Sequence, residues 1–482
     1  MALSKTIRPG LVALGCLAAG LLVAGTAIAG VPVETATALA TEATAEVAAV
    51  AAETAAVVTE AASETAPALF AHQVPLELDA AATSWLGTST ALVLLMTLPG
   101  LALFYGGMVR RKNVVATITQ SVAAFAVVTL VWFVAGYTIA FGVNPDEGLN
   151  KFVGSFDALF LQGISKDTAY SALPGIPEYL WLSFQLTFAI ITPALITGAF
   201  AERIKYSGLL LFIALWSLIV YAPIAHWVWG GGFLGQQGVL DFAGGAVVHV
   251  NSGVAGLVCA LFLGARKGYG VEPITAHNPV LTMIGASLLL VGWIGFNAGS
   301  AGAADGLMGV ALINTLLAAA AGSLSWKFIE RIEKRKWSLI GVLSGIVAGL
   351  VGITPAAGFV DPMGAVIIGL VSGPVCYVSS VWLKKLLKYD DSLDAFGLHG
   401  AGGLVGALLT GVLATTAVND LSADAHIWPQ FLGLVWTILW SAVGTLFVLV
   451  VCKYTVGLRV KEEVEDEGLD THLHGEALEG NA

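Results

Sequence analysis

His249-Val-Asn-Ser-Gly253-Val-Ala-Gly256 and His399-Gly-Ala-Gly-Gly403-Leu-Val-Gly406 spell one pattern, H-x-x-x-G-x-x-G, inside two apolar runs of the same chain. Each copy follows an acid by a turn or two, Asp241 in the first and Asp394 in the second. Residues three, four and seven apart share a helical face, so the glycines lie beside the histidine and let the two helices touch. The histidines can then approach each other across the bundle. The copies stand five apolar runs apart, the mark of an internal repeat. An odd number of spans per repeat forces the halves into opposite orientation, and inverted repeats place a substrate site near the midplane where they meet.

Outward from this repeat the same texture continues. Apolar runs of about twenty residues, the length that crosses a bilayer, begin near Thr83, Val114, Tyr179, Gly208, Phe242, Pro279, Gly306, Trp337, Gly364, Leu398 and Gln430. The expectation is an all-α polytopic membrane protein: eleven transmembrane helices, an inverted five-plus-five repeat and a last helix. Composition agrees, with 57% hydrophobic residues, 11% charged residues and 57 glycines in 482, and a mean hydropathy of +0.84. Lipid is the solvent such a chain demands, and small residues let its helices pack closely.

The net charge of -11 collects in the first eighty residues and the last twenty or so, which speaks for solvated tails and against nucleic acid as a partner. Cys16, Cys259, Cys376 and Cys452 fall in apolar runs without CxxC spacing. They imply no metal site and no disulfide framework.

Lys5 and Arg8 precede an apolar run from Leu11 that closes on Ala27-Ile28-Ala29, so 1-29 reads as a secretory signal peptide. An uncleaved first helix and a lipoprotein-type site at Cys16 are the rival readings. Residues 30-82, rich in Ala, Thr and Glu, open with a stretch too poor in large apolar groups to offset ordering entropy, and are expected to form an extracytoplasmic low-complexity segment. The transporter domain is expected at 83-457 and a cytoplasmic C-terminal tail at 458-482.

Cations set the orientation. Arg110-Arg111-Lys112, Arg203 and Lys205, Arg266-Lys267, the cluster Lys327 to Lys336, Lys384-Lys385-Lys388, and Lys453 with Arg459 and Lys461 follow the odd-numbered spans. The other loops carry Lys151 and Lys166 alone. The positive-inside rule therefore expects the N-terminus outside, the C-terminus inside, and a multi-pass protein of the bacterial inner (plasma) membrane.

Ionisable groups at membrane depth are costly and so are candidates for function. Desolvation favours the neutral imidazole, which both donates and accepts a hydrogen bond. A matched pair of histidines suits a neutral substrate or a migrating proton.

At these residues the chain resembles the ammonium transporter family (Amt, methylammonium permease, Rh), of the bacterial Amt type. The resemblance is carried by Phe184-Gln-Leu-Thr-Phe188-Ala, Gly198-Ala-Phe-Ala-Glu202-Arg203, Ala225-His-Trp-Val-Trp229-Gly-Gly-Gly, Asp241-Phe-Ala-Gly-Gly245, Gly292-Trp-Ile-Gly-Phe296-Asn-Ala-Gly-Ser300 and Asp394-Ala-Phe-Gly-Leu-His399-Gly. It runs from about Thr83 to the end of the chain.

It implies a homotrimer with one pore per subunit, ammonium recruitment by Trp229, Phe188 and Ser300, and a gate of Phe188 and Phe296. It implies further a pore lined by His249, His399 and Trp293, with Asp241 near the outer mouth. Asp241 has two readings, N-cap of the following helix or proton handling. The tail Tyr454-Thr-Val-Gly457-Leu-Arg459 to His474-Gly475 is similar to the family's C-terminal region, which implies packing on the cytoplasmic face beside a docking site for the PII signalling protein. Asp390, Asp391 and Asp394 are by the same resemblance partners for its cations.

The function expected is an ammonium/ammonia transporter or channel in nitrogen assimilation. A sensor of the same fold acting through PII is the alternative. An enzyme is not expected, and neither a cofactor nor a metal is implied, since no nucleophile elbow, metal-ligand spacing or phosphate loop occurs.

Overall fold

A computed structural model describes residues 69–478. The signal segment, the Ala/Thr/Glu-rich stretch before residue 69 and Cys16 lie outside the described residues. Among them, ten helices are long and apolar enough to cross a membrane: α1 (Ala80–Met108), α2 (Arg111–Phe141), α3 (Glu178–Phe200), α4 (Tyr206–Gln236), α5 (Gly245–Leu263), α6 (Pro279–Gly299), α7 (Gly306–Lys334), α9 (Pro362–Leu387), α10 (Phe396–Leu413) and α11 (Ile427–Thr455). Between α7 and α9 lies α8 (Leu339–Ile353), apolar but shorter at 15 residues. The expected eleven runs thus correspond to ten full-length helices and this short one, which stops where Thr354-Pro355 removes the next backbone donor.

The starts agree with the sequence to within a turn. The first helix begins at Ala80, capped by the Asp79 carboxylate on the amides of Ala81 and Ala82. Residues grouped by composition with the low-complexity segment are tied down before it: β1 (Gln73–Pro75) pairs antiparallel with β2 (Thr168–Tyr170). Glu178, fully buried at the start of α3, accepts from Gln73 Nε2 (2.7 Å), Tyr137 O–H (2.9 Å) and Thr168 O–H (2.9 Å), and pairs with His72 Nε2 (3.1 Å).

The two copies of the repeat are one structure written twice. His249 and His399 are 150 residues apart, and α5 and α10 each open with a π-helical turn, Gly245–Val250 and Phe396–Gly400. The two helices run antiparallel: the Leu263 carbonyl ending α5 meets Arg459 at the cation-rich end, where α10 begins. A Cβ on Gly253 would lie 2.2 Å from the amide nitrogen of Gly400, and one on Gly403 would lie 2.8 Å from the carbonyl of Gly245. No side chain fits there, so the pattern read from the sequence is the contact surface of the two helices. Cys259, Cys376 and Cys452 are buried thiols with no disulfide.

At the cation-rich end buried charges bind the loops to one another. Arg266 grips Asp390 with two parallel bonds of 2.8 Å and reaches Glu202 at 3.0 Å, while Arg110 bonds Glu202 through its amide (2.7 Å) and Nε (3.0 Å). Arg203, wholly buried, donates to the Asp390 carbonyl (2.6 Å) and to Ser392 Oγ (2.6 Å). Burial alone would raise the carboxyls of Glu202 and Asp390, but Arg266 holds both below their ordinary values, with Arg110 helping at Glu202.

The tail packs on the same end. Val460 N–H donates to the Arg203 carbonyl, Arg459 donates to the carbonyls of Leu263 (2.8 Å) and Ala265 (2.7 Å), and the Asp470 carboxylate accepts from Val115 and Ala116. Asp390, Asp391 and Asp394 are not the partners of the tail's cations: Asp390 is taken by Arg266 and Arg203, Asp391 by backbone amides and Asp394 by Lys384. Arg459 pairs instead with Glu465 at 2.8 Å, within the tail itself.

Two outcomes follow. Gly253→Val is expected to lower the unfolding temperature in detergent and the yield of folded protein, whereas Gly309→Ala, where nothing lies within 4 Å, leaves both unchanged. Glu202→Gln is expected to cost about 3–5 kcal/mol at neutral pH by stranding buried guanidinium groups. Glu202 and Asp390 have folded values below the unfolded 4.5 and 3.8. Their contribution is therefore present above those values and lost as pH falls through the folded ones. Unfolding scans from pH 7 to pH 3 should show wild type and variant converging at the acid end.

Candidate functional site

Trp229 sits where the long helical part of α4 ends, one residue past Val228. Glycine is required after it: Gly231 has φ of 87°, and a Cβ on Gly230 would lie 2.0 Å from the Ala140 carbonyl. The indole N–H donates to the Asp241 carbonyl at 2.8 Å, which fixes the ring's orientation. Its edge then meets Phe188 of α3, with centroids 5.9 Å apart at 87°.

From Trp229 the rings continue inward as a column. Phe188 has Phe184 one helical turn away, at 4.9 Å and 66°, and lies nearly flat on Phe296 of α6, at 4.3 Å and 26°. Phe296 is 5.9 Å from the ring of His249, and Trp293, one turn before it, is 5.3 Å from the same imidazole at 26°. His249 in turn faces His399 at 5.3 Å and 21°, with the two Nδ1 atoms 3.3 Å apart.

Both histidines, Phe184, Phe188, Phe296 and Trp293 are buried, and Trp229 is half-buried. Ser300 lies one turn beyond Phe296 as the C-cap of α6, and its hydroxyl donates to the Phe296 carbonyl at 2.8 Å. The oxygen's lone pairs remain for a donor from outside.

A contact between two Nδ1 atoms has a chemical consequence. Neutral imidazole carries one proton, so one ring donates at Nδ1 and the other accepts. The Nε2 atoms are then of opposite kind, one an acceptor and one an N–H donor. The buried His249 Nε2 has no protein partner, which leaves that role available to a guest.

Asp241 is the cap of α5. Its Oδ1 accepts from the amides of Gly244 (2.9 Å) and Gly245 (2.5 Å), and its Oδ2 from Ala246 (2.8 Å) and Val247 (3.0 Å). Burial lifts this carboxyl above its ordinary value, against the pull of the four amides.

The repeat mate of Asp241 is Asp391, at the same 150-residue spacing as the histidines, and not Asp394. Asp391 accepts from Ala395 (3.0 Å) and Phe396 (2.8 Å) at the start of α10. Burial and then the charge of Asp394 raise it to about 6. Asp394 corresponds instead to Gly244: both take a left-handed backbone, φ 60° and 109°, and the Asp394 side chain turns away to Lys384.

The sequence pattern did not single out two residues of the column's surroundings. Phe184 was visible in the Phe-Gln-Leu-Thr-Phe stretch as a ring one turn from Phe188. Thr354, whose hydroxyl holds Trp293 Nε1 at 2.9 Å, had no signal beyond the end of an apolar run.

A bundle of apolar helices in two inverted halves, meeting at buried imidazoles, defines a multi-pass membrane transporter. The chain belongs to the ammonium transporter family, whose model matches residues 84–478. It is similar to the ammonium transporter of Aquifex aeolicus (strain VF5), 48% identical over 416 residues covering 84% of this chain and 95% of that one. The ammonium transporter of Bacillus subtilis (strain 168) is likewise 48% identical, over 394 residues, 80% of this chain and 95% of that one.

Among solved structures, Saccharomyces cerevisiae Mep2 matches with a TM-score of 0.73 and 35% identity over 80% of this chain and 89% of that one. A protein described as a sensor Amt protein matches at 0.74 with 28% identity, over 82% and 98%. The family is one of transporters rather than enzymes, and ammonium transport is its function.

Asp241→Asn tests the capping role. An amide offers one acceptor oxygen, and its NH2 would face two backbone donors, so a loss of about 1–3 kcal/mol in stability is expected. Unfolding measured in detergent should show Asn no better than Ala at this position; full stability with Asn would contradict the cap.

Proposed function

We propose that this protein recruits ammonium between Trp229, Phe188 and Ser300, strips its proton, and conducts ammonia past the Phe188–Phe296 gate and the His249–His399 pair. The observation that carries the reading is the unbroken column from Trp229 to the 3.3 Å imidazole contact. An ammonium ion over the Trp229 face gains about 0.5–2 kcal/mol of cation–π attraction, and Ser300 accepts one of its N–H bonds. Potassium could occupy such a site equally well. Discrimination therefore falls to the apolar stretch beyond, where a bare cation meets an idealised cost of tens of kcal/mol and neutral ammonia does not.

With Phe188 and Phe296 stacked at 4.3 Å, a hydrated ion finds no way through unless the rings turn. Beyond them the pair offers one acceptor and one donor nitrogen to ammonia, and the shared Nδ1 hydrogen bond offers the released proton a place to move. Trp293, held by Thr354, keeps His249 in the plane this requires.

Around this pore the same reading has α8 as an eleventh crossing, the cation-rich end in the cytoplasm, residues 1-29 as a signal peptide and 30-82 as an extracytoplasmic segment. The transporter domain is 83-457, with 458-482 as its cytoplasmic tail, in a homotrimer of the bacterial inner membrane. The packed tail favours a second role: it contacts the loops after α1, α3 and α5, a surface suited to a PII protein that reports or limits transport. A sensor of the same fold shares this geometry, and transport current separates the two.

Currents on solid-supported membranes bearing proteoliposomes, with ammonia flux followed in parallel, are the test. His399→Ala and His249→Ala each strand a buried partner worth about 1–3 kcal/mol, so flux about ten- to a hundredfold lower is expected. Wild-type protein that passes neither current nor ammonia would overturn the transport reading and leave the sensor.

A further inference from the structure

The cation-rich ends of α7 and α9 carry a basic and aromatic patch that no part of the transport mechanism uses. Residues 327 to 337 contain Lys327, Arg331, Lys334, Arg335 and Lys336 against two acids, Glu330 and Glu333, and end on Trp337. Both acids are engaged by neighbours. Glu330 accepts from the Ser338 hydroxyl (2.8 Å) and pairs with Lys334 (3.3 Å), and Glu333 accepts from Tyr377 O–H (2.6 Å) and Trp382 Nε1 (2.9 Å).

The cations are arranged on rings. Lys327 Nζ lies 5.2 Å and the Arg331 guanidinium 5.8 Å from the centre of Trp337, and Lys334 Nζ lies 5.7 Å from that of Tyr377. Lys384 and Lys385 follow Trp382 in α9, and Lys388 stands just past its end.

Length sets the depth of this patch. α7 has 29 residues, about 43 Å at 1.5 Å per residue, against about 30 Å of hydrocarbon. Asp305 caps its other end, so the surplus of roughly two turns falls at Lys327 to Lys334. There Phe328 is 62% and Ile332 59% exposed, beside Trp337 at 58% and Trp382 at 48%. Apolar groups pointing to lipid, indoles at the interface and surplus positive charge just above them are the three parts of an anionic headgroup site.

We propose that Lys327, Arg331 and Lys336, framed by Trp337 and Trp382, bind the phosphodiester headgroup of an anionic phospholipid in the adjoining leaflet. The guanidinium of Arg331 forks onto phosphate oxygens, the two lysines add charge, and the indoles seat the glycerol backbone while Phe328 and Ile332 contact the chains. The opposite end of the bundle carries Lys151 and Lys166 alone in its loops, so the preference belongs to one leaflet. The proposal is independent of the transport reading, because binding is measured without flux and without reference to which side faces the cytoplasm.

Native mass spectrometry of the full chain in detergent tests it, with phosphatidylglycerol as probe, phosphatidylcholine as the zwitterionic arm and glycerol phosphate as the soluble arm. Wild type is expected to retain phosphatidylglycerol over phosphatidylcholine. K327Q/R331Q/K336Q is expected to bind it at least tenfold more weakly, since each surface cation contributes roughly 1 kcal/mol. K327R/R331K, which keeps the charge, should restore most of the affinity, and K453Q at the same end should leave it unchanged.

If the triple variant does not fold, W337A/W382A serves in its place with the same expectation. Equal retention by wild type and variant, no preference for phosphatidylglycerol over phosphatidylcholine, or glycerol phosphate bound as tightly as the lipid would each overturn the proposal.

Discussion

Two helices that begin inside a bundle, out of reach of water, leave backbone amides that must find acceptors, and this protein answers with Asp241 and Asp391. Each carboxylate sits at the same place in its half and takes up the amides that open α5 or α10. Buried donors left unpaired are expensive, so these acids decide where the two π-helical turns start. That start decides the height and direction of His249 and His399. The imidazole contact is a consequence of how the helices are capped as much as of the histidines themselves.

The rest of the site is built by packing around that pair. Gly253 and Gly403 bring the two backbones together, and residues of α6 close one side with Trp293 and Phe296. α3 adds Phe188 and Phe184, and the glycine turn after Trp229 places an indole at the outer end. At the opposite end, Arg266 and Arg203 gather the loops after α3, α5 and α9 into one charged cluster with the tail laid across it. A displacement of the tail at Arg203 is therefore felt next to Ser392 and Asp391, at the root of the helix that carries His399.

Much of this was legible in the chain. Apolar runs announce helices because hydropathy and length suffice to specify a crossing, and the observed starts depart from the expected ones by less than a turn. H-x-x-x-G-x-x-G foretold that α5 and α10 touch, since a glycine face has no other use in an uncharged span. What misled was proximity in sequence: Asp394 is nearer to His399 and looked like the mate of Asp241, yet the amides of α10 turn to Asp391. Ion-pair partners were likewise illegible, because Arg266 and Asp390 come from loops far apart along the chain, and only their three-dimensional approach excludes the tail's Arg459 from Asp390.

By itself, then, the sequence determined the number and placement of the apolar runs, the inverted repeat and the two imidazoles at matched positions. These are local properties, written in periodicity and residue size. The tertiary structure alone decided which nitrogen faces which, that Phe188 lies flat on Phe296, which acid caps which helix and which arginine holds which loop. Those outcomes depend on distances of a few ångströms between elements remote in the chain, and dense packing in a medium without water selects a single arrangement for them.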